Sequence, residues 1–508
     1  METSSYSVAI VGLGPVGAAL AALLGEAGVR TVVLERETAP YSLPRAAHLD
    51  DEAMRVLQAA GVADEVRARG RTLDGFDLVD ARGQTRLRAR KAGGTRYGWP
   101  TATLIHQPTV ERLLRQRIAA LPSVDVRLGW EVAEIAQDDE GVALTGASGE
   151  TVRASYAVGC DGARSRVRAA MDVPLDGGRF EERWLVVDTR LTAPLALSDR
   201  LLQIADRERP STFVPFPGDR RRWEFKLRDD EPDALVTQEA WIRQRLAAHP
   251  TLRRENASGG SDSRLPLEIE RAAVYTFRDV VARSWRQGRL LLAGDAAHQM
   301  PPFLGQGLGA GLRDAFDLAW RLRLVAGDCA GRRSGGASGA ALLDGYEAER
   351  KPHVRRVTRL AAALGRLVSA QGALGALRDG ALALAHRTPL APKLLDLTLE
   401  GIRPVPLATA GAHAPRRSLL PQPDRLDDRL GTNWAILARD PAAWSGAPAH
   451  LPGVGLHVLP APEALGETLG RFDALVVRPD RHVFGRYRAG EGERLWRDLE
   501  VALHLRGA

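Results

Sequence analysis

Cysteine is almost absent: Cys160 and Cys329 are the only two in 508 residues. They form no CxxC pair and no metal-ligand spacing, which excludes a disulfide framework or a zinc cluster and points to a cytoplasmic protein. Aromatic residues are sparse, at 5% of the chain, and do not interleave with basic ones. That leaves no stacking platform for a nucleic-acid channel. The formal charge of +7 is carried by scattered arginines without a long basic block, enough for weak attraction to anionic ligands. Long hydrophobic runs are also missing, since the Ala/Leu-rich segment 360–399 is broken by Arg, Gln, Asp, Lys and Pro, so no membrane span is expected. The start, METSSYSVAIVGLG, has no basic leader and no cleavage signal and enters an apolar strand at once. Length exceeds what one core fills, so two or three domains are expected.

What is abundant is glycine, and its placement is informative. In YSVAIVGLGPVGAALAALLGEAGVRTVVLERE, a short β-branched run leads to Gly12, Gly14 and Gly17, then a helical stretch, then a second strand ending at Glu35. Gly12 permits a tight turn, Gly14 lets the backbone approach a pyrophosphate, and Gly17 lets helix and sheet pack closely. Glu35, 18 residues after Gly17, can accept hydrogen bonds from ribose hydroxyls and would repel a 2′-phosphate. Arg36 beside it joins the same candidate set. The implied ligand is the adenosine half of FAD or NAD. An NAD dehydrogenase would continue with further βα units, but a turn at Pro44, Arg45 and an amphipathic helix follow instead.

Two later segments repeat the pattern of a buried strand ending in a carboxylate. YAVGC runs into Asp161–Gly162, followed by Ser165 and Arg168. GRLLLAG runs into Asp295, then His298, the rigid Pro301–Pro302, and Gly305, Gln306 and Gly307 before a helix. Strand carboxyl ends are where open α/β sheets bind ligands. Glycines at a helix start leave N–H groups uncovered for an acceptor-rich ring. Three such elements suggest one long ligand lying across several strand ends.

GLGPVG with Glu35, GCDGARSRVR at 159–168 and LLAGDAAHQMPPFLGQGLGAGLRDAFDLAW at 291–320 together resemble the class A FAD-dependent aromatic hydroxylases of the p-hydroxybenzoate hydroxylase fold. YTFRDVVARSWRQGRLLLAGDAAH and LLDGYEAERKPH are most similar to the branch of 3-(3-hydroxyphenyl)propionate hydroxylases and polyketide ring hydroxylases. The resemblance implies FAD as cofactor, NADH or NADPH as transient electron donor, and O2 inserted into a phenolic or polyketide ring through a flavin hydroperoxide. It implies that Glu35 binds the adenosine ribose, that Arg45 and Gln107 line the ribityl and ring region, and that Asp161 lies near the pyrophosphate. It further implies that Asp295 binds ribitol, that Pro302 lies at the ring, and that the Gly305–Gly307 turn with Leu308 offers N–H groups to its pyrimidine end. Where the branch usually has Met–Asn this chain has Leu308–Gly309, and Asp317 replaces an Asn. These departures bear on the substrate class and suggest secondary metabolism.

The expected fold is α/β: a Rossmann-like FAD-binding domain with an inserted antiparallel-sheet substrate domain and a C-terminal thioredoxin-like domain. Residues 1–70, 100–180 and 280–345 would form the first, 71–99 and 181–279 the substrate layer, 346–400 a helical segment, and 415–508 a thioredoxin-like unit without CxxC. Trp223, Phe225, Tyr275 and Phe277 are candidates for the substrate lining or the sheet core. His48, Asp50, Trp223 and Tyr275 are the candidate substrate-side catalytic groups, and His298 is either catalytic or structural. No nucleic-acid or membrane partner is expected; a homodimer is the assembly considered. Baeyer–Villiger insertion, epoxidation, and a non-catalytic flavin scaffold or redox sensor stay open as alternatives.

Overall fold

The computed structural model describes residues 5–40, 44–90, 96–252, 265–326, 337–385, 407, 410–415, 419–444 and 455–504. The SVAIV and TVVLE runs form parallel strands Ser5–Val11 and Thr31–Glu35, buried on both faces as continuous β-branched runs require. Strand Thr151–Gly159 lies on the other side of Ser5–Val11, and Leu290–Leu292 lies beyond it, both parallel. Register brings the ends into line: Leu292 opposite Gly159, Gly159 opposite Val11, Val11 opposite Leu34. All three glycine- or aspartate-bearing loops therefore leave the sheet side by side. Helix Pro15–Glu26 starts directly after Gly14, with Pro15 at a first position that needs no N–H. It packs its Ala/Leu surface against helices Gln107–Ala119 and Gly307–Ala326.

A second sheet of eight strands is built around two long antiparallel strands, Leu175–Leu191 and Leu267–Ala282. Arg220–Lys226, Ser211–Val214, Leu201–Ala205, Gly75–Asp80 and Thr85–Arg90 extend it in that order, and His298–Gln299 closes the opposite edge. It draws in residues 175–180, 280–282 and 298–299, which the sequence division gave to the other unit. Because strand side chains alternate in direction, its two faces differ. Leu185, Val187, Phe213, Trp223 and Phe225 pack on one face against Trp241, Ile242 and Leu246 of helix Glu239–Ala248. The other face meets the first sheet's loops.

The helical reading of 346–400 corresponds to helices Ala337–Val368 and Gly372–Ala385; residues 386–400 lie outside the described residues. Among the described residues no single helix is long and apolar enough to cross a membrane. The C-terminal unit has a four-stranded sheet in which Trp434–Ala438 is parallel to Leu456–Pro460 and antiparallel to Ala474–Val477. Val483–Tyr487 pairs antiparallel with the last of these, and helix Gly492–Ala502 follows. Trp434 packs edge-on against Trp320 of helix Gly307–Ala326, with ring centroids 5.6 Å apart. Buried Arg478 bridges to Glu349 at 2.8 Å, and buried Arg55 to Asp427 at 2.7 Å.

Candidate active site

The glycine loop is built as its spacing requires. Gly12 has φ +101°, and a Cβ there would lie 2.6 Å from the Cys160 carbonyl oxygen; a Cβ on Gly17 would lie 2.1 Å from the Gly12 carbonyl oxygen. Neither position admits another residue without backbone movement. Gly14 is the contrary case, with nothing within 4 Å of its Cβ position. That open space stands at the start of helix Pro15–Glu26, where unsatisfied N–H groups and the helix dipole favour phosphate. Glu35 closes the neighbouring strand; its Oε2 accepts from Leu13 N at 2.6 Å and its Oε1 from Glu37 N at 2.9 Å. Arg36 is exposed and pairs with Glu37 at 3.1 Å.

Asp161 follows the next strand end. Its Oδ2 accepts from Arg166 N at 2.6 Å and Val167 N at 3.2 Å, while its buried Oδ1 has no hydrogen-bond partner among the described residues. Burial raises the carboxyl above its ordinary value, against the lowering effect of Ser165 and nearby amides. Arg168 Nη1 donates to the Ala296 carbonyl at 2.8 Å, tying this motif to the Asp295 loop. Asp295 is open to solvent, yet desolvation raises its carboxyl, with His298 and Arg45 acting the other way. A carboxylate both water-accessible and deep within the protein volume marks a cleft.

His298 is buried; its Nε2 meets Asp314 Oδ2 at 2.6 Å, and its ring stacks on Trp285 at 5.3 Å. Asp314 also accepts from Gly294 N at 3.1 Å and Arg350 Nε at 2.9 Å. Burial works against its charge, but His298 and Arg350 more than offset this and hold the carboxyl below its ordinary value. His298 thus pins the Asp295 loop to helix Gly307–Ala326. Pro302 opens a short 3-10 turn that ends at Gly305, φ +63°. Gly307 and Leu308 then begin the helix, where first-turn amides have no intrahelical partner. A side chain at Gly309 would press on Arg313 Nη1 at 3.0 Å.

Beside the Pro44–Arg45 turn, Gln107 is buried and its Oε1 accepts from Arg45 N at 3.2 Å and Ala46 N at 2.6 Å. His48 is buried beside Gly305, with Nδ1 3.4 Å from its carbonyl oxygen. Asp50 departs from its expected role. Its Oδ1 caps helix Asp51–Ala59 through Ala53 N at 2.9 Å, and its Oδ2 accepts from Arg313 Nη2 at 2.6 Å. Burial opposes its charge, yet Arg313 and the cap hold the carboxyl far below its ordinary value, so it is an anchor rather than a base. Trp223 departs too: it belongs to the apolar core on the far face, and its Nε1 donates to Thr251 at 3.1 Å. Phe225 is beside it. Tyr275 and Phe277 lie on the near face, stacked with centroids 6.2 Å apart, and the Arg271 guanidinium sits 5.0 Å from the Tyr275 ring.

The sequence reading did not single out the clamp that joins the two sheets. Buried Arg222 pairs with Asp188 at 2.6 Å and donates to the carbonyls of Pro44 at 2.5 Å and Arg45 at 2.8 Å. Arg271 donates to the same Pro44 carbonyl at 2.9 Å. No local motif announces the contacts to Pro44 and Arg45, since those partners are about 180 residues away or more.

The open space at Gly14, the unsatisfied Asp161 oxygen, the cleft-lining Asp295 carboxylate and the uncovered amides at Gly307 all fit an extended dinucleotide cofactor. Comparison with known proteins agrees. Residues 5–361 match the FAD binding domain family. The chain is 35% identical to the probable NADH-specific resorcinol 4-hydroxylase of Rhodococcus jostii (strain RHA1), covering 98% of this chain and 95% of that protein. It is 34% identical to the 3-(3-hydroxy-phenyl)propionate/3-hydroxycinnamic acid hydroxylase of Mycobacterium sp. (strain JLS), covering 99% and 93%. Among solved structures, the anhydrotetracycline hydroxylase of Streptomyces rimosus is 25% identical with a TM-score of 0.74, covering 98% of each chain. Aklavinone-11 hydroxylase shares the fold at 24% identity, with a TM-score of 0.76 over 98% of this chain and 99% of that one. With the motif loops gathered at adjacent strand ends and the match running nearly end to end, the chain belongs to the class A FAD-dependent aromatic hydroxylases, flavoprotein monooxygenases of the p-hydroxybenzoate hydroxylase-like fold.

Proposed function

We propose that this monooxygenase hydroxylates a small phenolic ring, of the resorcinol or 3-hydroxyphenyl type, at the space between the first sheet's loops and the near face of the second sheet. The carrying observation is the side-by-side exit of the Gly12, Asp161 and Asp295 loops beneath that face. The full-length relatives at 34–35% identity act on single-ring phenols by name, which favours that class over fused polyketides. FAD, once bound, supplies hydride acceptance from the nicotinamide donor and activation of O2. Glu35 and Arg36 serve the adenosine end, Gly12, Gly14, Gly17 and Asp161 the pyrophosphate, and Asp295 the ribitol. Arg45, Gln107, Pro302, Gly305, Gly307 and Leu308 serve the ring. The sheet face orients the substrate and keeps water from the reacting centre.

Residues 1–70, 100–180 and 280–345 serve as the cofactor unit and 71–99 and 181–279 as the substrate layer, with 175–180, 280–282 and 298–299 contributing strand to the second sheet. Residues 415–508 are thioredoxin-like, supported by a central strand with one parallel neighbour and an antiparallel pair beyond it. No cysteine follows Cys329, so that unit cannot exchange disulfides and is structural. A cytoplasmic enzyme is consistent with the scarcity of cysteine.

Purified protein should be yellow and release FAD on denaturation. NADH consumption should rise with resorcinol and match the hydroxylated product mole for mole. A colourless protein that rejects added FAD, or NADH oxidation that never yields hydroxylated phenol, would overturn the reading.

A further inference from the structure

Register on the near face of the second sheet lays side chains in parallel rows. Val186 stands opposite Ala273 on one side and Glu224 on the other, and Glu224 opposite Thr212. Two residues along, Trp184 stands opposite Tyr275; two residues the other way, Asp188 lies between Arg222 and Arg271. Rows two residues apart are separated by roughly 7 Å. A middle row of mostly short side chains between rows of large ones makes a trough.

Both loops assigned to the flavin ring straddle this trough. Phe303, next to Pro302, meets Trp184 with ring centroids 5.6 Å apart at one border. Pro44 and Arg45 hang from Arg222 at the other. Glu224 is the one ionisable side chain in the middle row, and it is 8% exposed. No hydrogen bond reaches its carboxylate among the described residues; its nearest cation is Arg222, at 3.8 Å, already committed to Asp188 and the two carbonyls. The Glu224 oxygens are not among the fully buried atoms that lack a partner, so a donor from outside the chain can reach them and supply the missing hydrogen bond.

We propose that Glu224 accepts the hydrogen bond, and then the proton, of the substrate's ring hydroxyl. The assignment rests on the function proposed above. The substrate O–H bond breaks, its electron pair stays on the ring oxygen, and a new O–H bond forms on the carboxylate. No oxidant enters this step. The resulting phenolate enriches the ring carbon that takes up oxygen. Burial also pushes the Glu224 carboxyl above its ordinary value, with Arg222 lowering and Asp188 raising it, which brings donor and acceptor closer in basicity. Among the groups on this face, Lys226 is held by Glu182 at 2.7 Å and Arg271 lies 3.6 Å from Asp188. Neither competes for the proton.

The test uses the FAD-loaded protein and 4-nitrophenol, at a pH where the free probe is ionised. Binding to the wild type should take up about one proton per probe, measured with an indicator in weak buffer. The Glu224→Gln variant should take up none while keeping FAD and the wild-type melting temperature. With resorcinol, its kcat should fall roughly 10²–10⁴-fold and climb tenfold per pH unit as solution supplies phenolate. If Glu224→Gln does not fold, the wild-type uptake decides alone. FAD-loaded protein that binds the probe without proton uptake, or fails to bind it, overturns the assignment while leaving the flavin reading intact; failure to hold FAD overturns the earlier reading itself.

Discussion

Trp223 and Tyr275 looked equivalent as aromatic residues in strands of the inserted sheet, and the structure separates them by one step of alternation. Trp223 faces Trp241 and Ile242 in an apolar core, whereas Tyr275 shares the near face with Trp184 and Arg271. Trp223→Ala should therefore cost about 3–5 kcal/mol of stability, measured by denaturant unfolding, with KM little changed in protein that stays folded. Tyr275→Ala should leave the unfolding midpoint nearly unchanged and raise KM or uncouple NADH use from product. The reverse pattern would mean that the faces are misassigned. Alternation reveals that two faces exist, but which one meets the ligand depends on contacts with distant segments. The same limit applies to Asp50: its cap on Ala53 is local, but Arg313, which claims its other oxygen, lies 263 residues away.

The glycine loop was legible at the level of the element because its constraints are local. A turn, a close approach and a helix start fall within six residues, and each demands a residue type that can be read in one dimension. Two substitutions separate structural glycines from the one that leaves room for ligand. Gly17→Ala forces a Cβ onto the Gly12 carbonyl oxygen and should destabilise the apoprotein by about 1–3 kcal/mol. Gly14→Ala meets nothing within 4 Å, so the apoprotein should unfold as wild type while FAD affinity falls at least tenfold. Calorimetry of apoprotein paired with flavin titration reads both; equal effects of the two variants would sink the distinction. The strands of the second sheet were also legible, as alternating aromatic and β-branched runs. Its clamp was not, because Arg222, Arg271 and Asp188 read as ordinary strand-face charges until Pro44 is placed against them.

For the whole molecule, the contact between the FAD core and the C-terminal unit combines an apolar cluster around Trp320 and Trp434 with a buried charge network. Asp317, Glu349 and Asp480 face one another, and Arg321 and Arg478 occupy the cationic positions among them. Burial pushes the Asp317 carboxyl up to about 7, with Arg321 lowering and Glu349 raising it. A carboxyl raised in the folded state favours folding most below its unfolded value. That contribution is lost as pH climbs from about 4 to about 7. Asp317→Asn should remove this loss, so the variant's melting temperature should fall less than the wild type's across that window. Parallel curves would show that Asp317 carries no extra proton. The charges cross the boundary in both directions, since the C-terminal unit supplies Arg478 to Glu349 and Asp427 to Arg55. During synthesis the FAD core leaves the ribosome with Glu349 and Arg55 lacking these partners, and only the last hundred residues supply them. A chain that ends before Asp427 would leave the Arg55 guanidinium without its carboxylate and Glu349 with Arg321 but without Arg478, so the C-terminal unit completes the charge pairing of the FAD core.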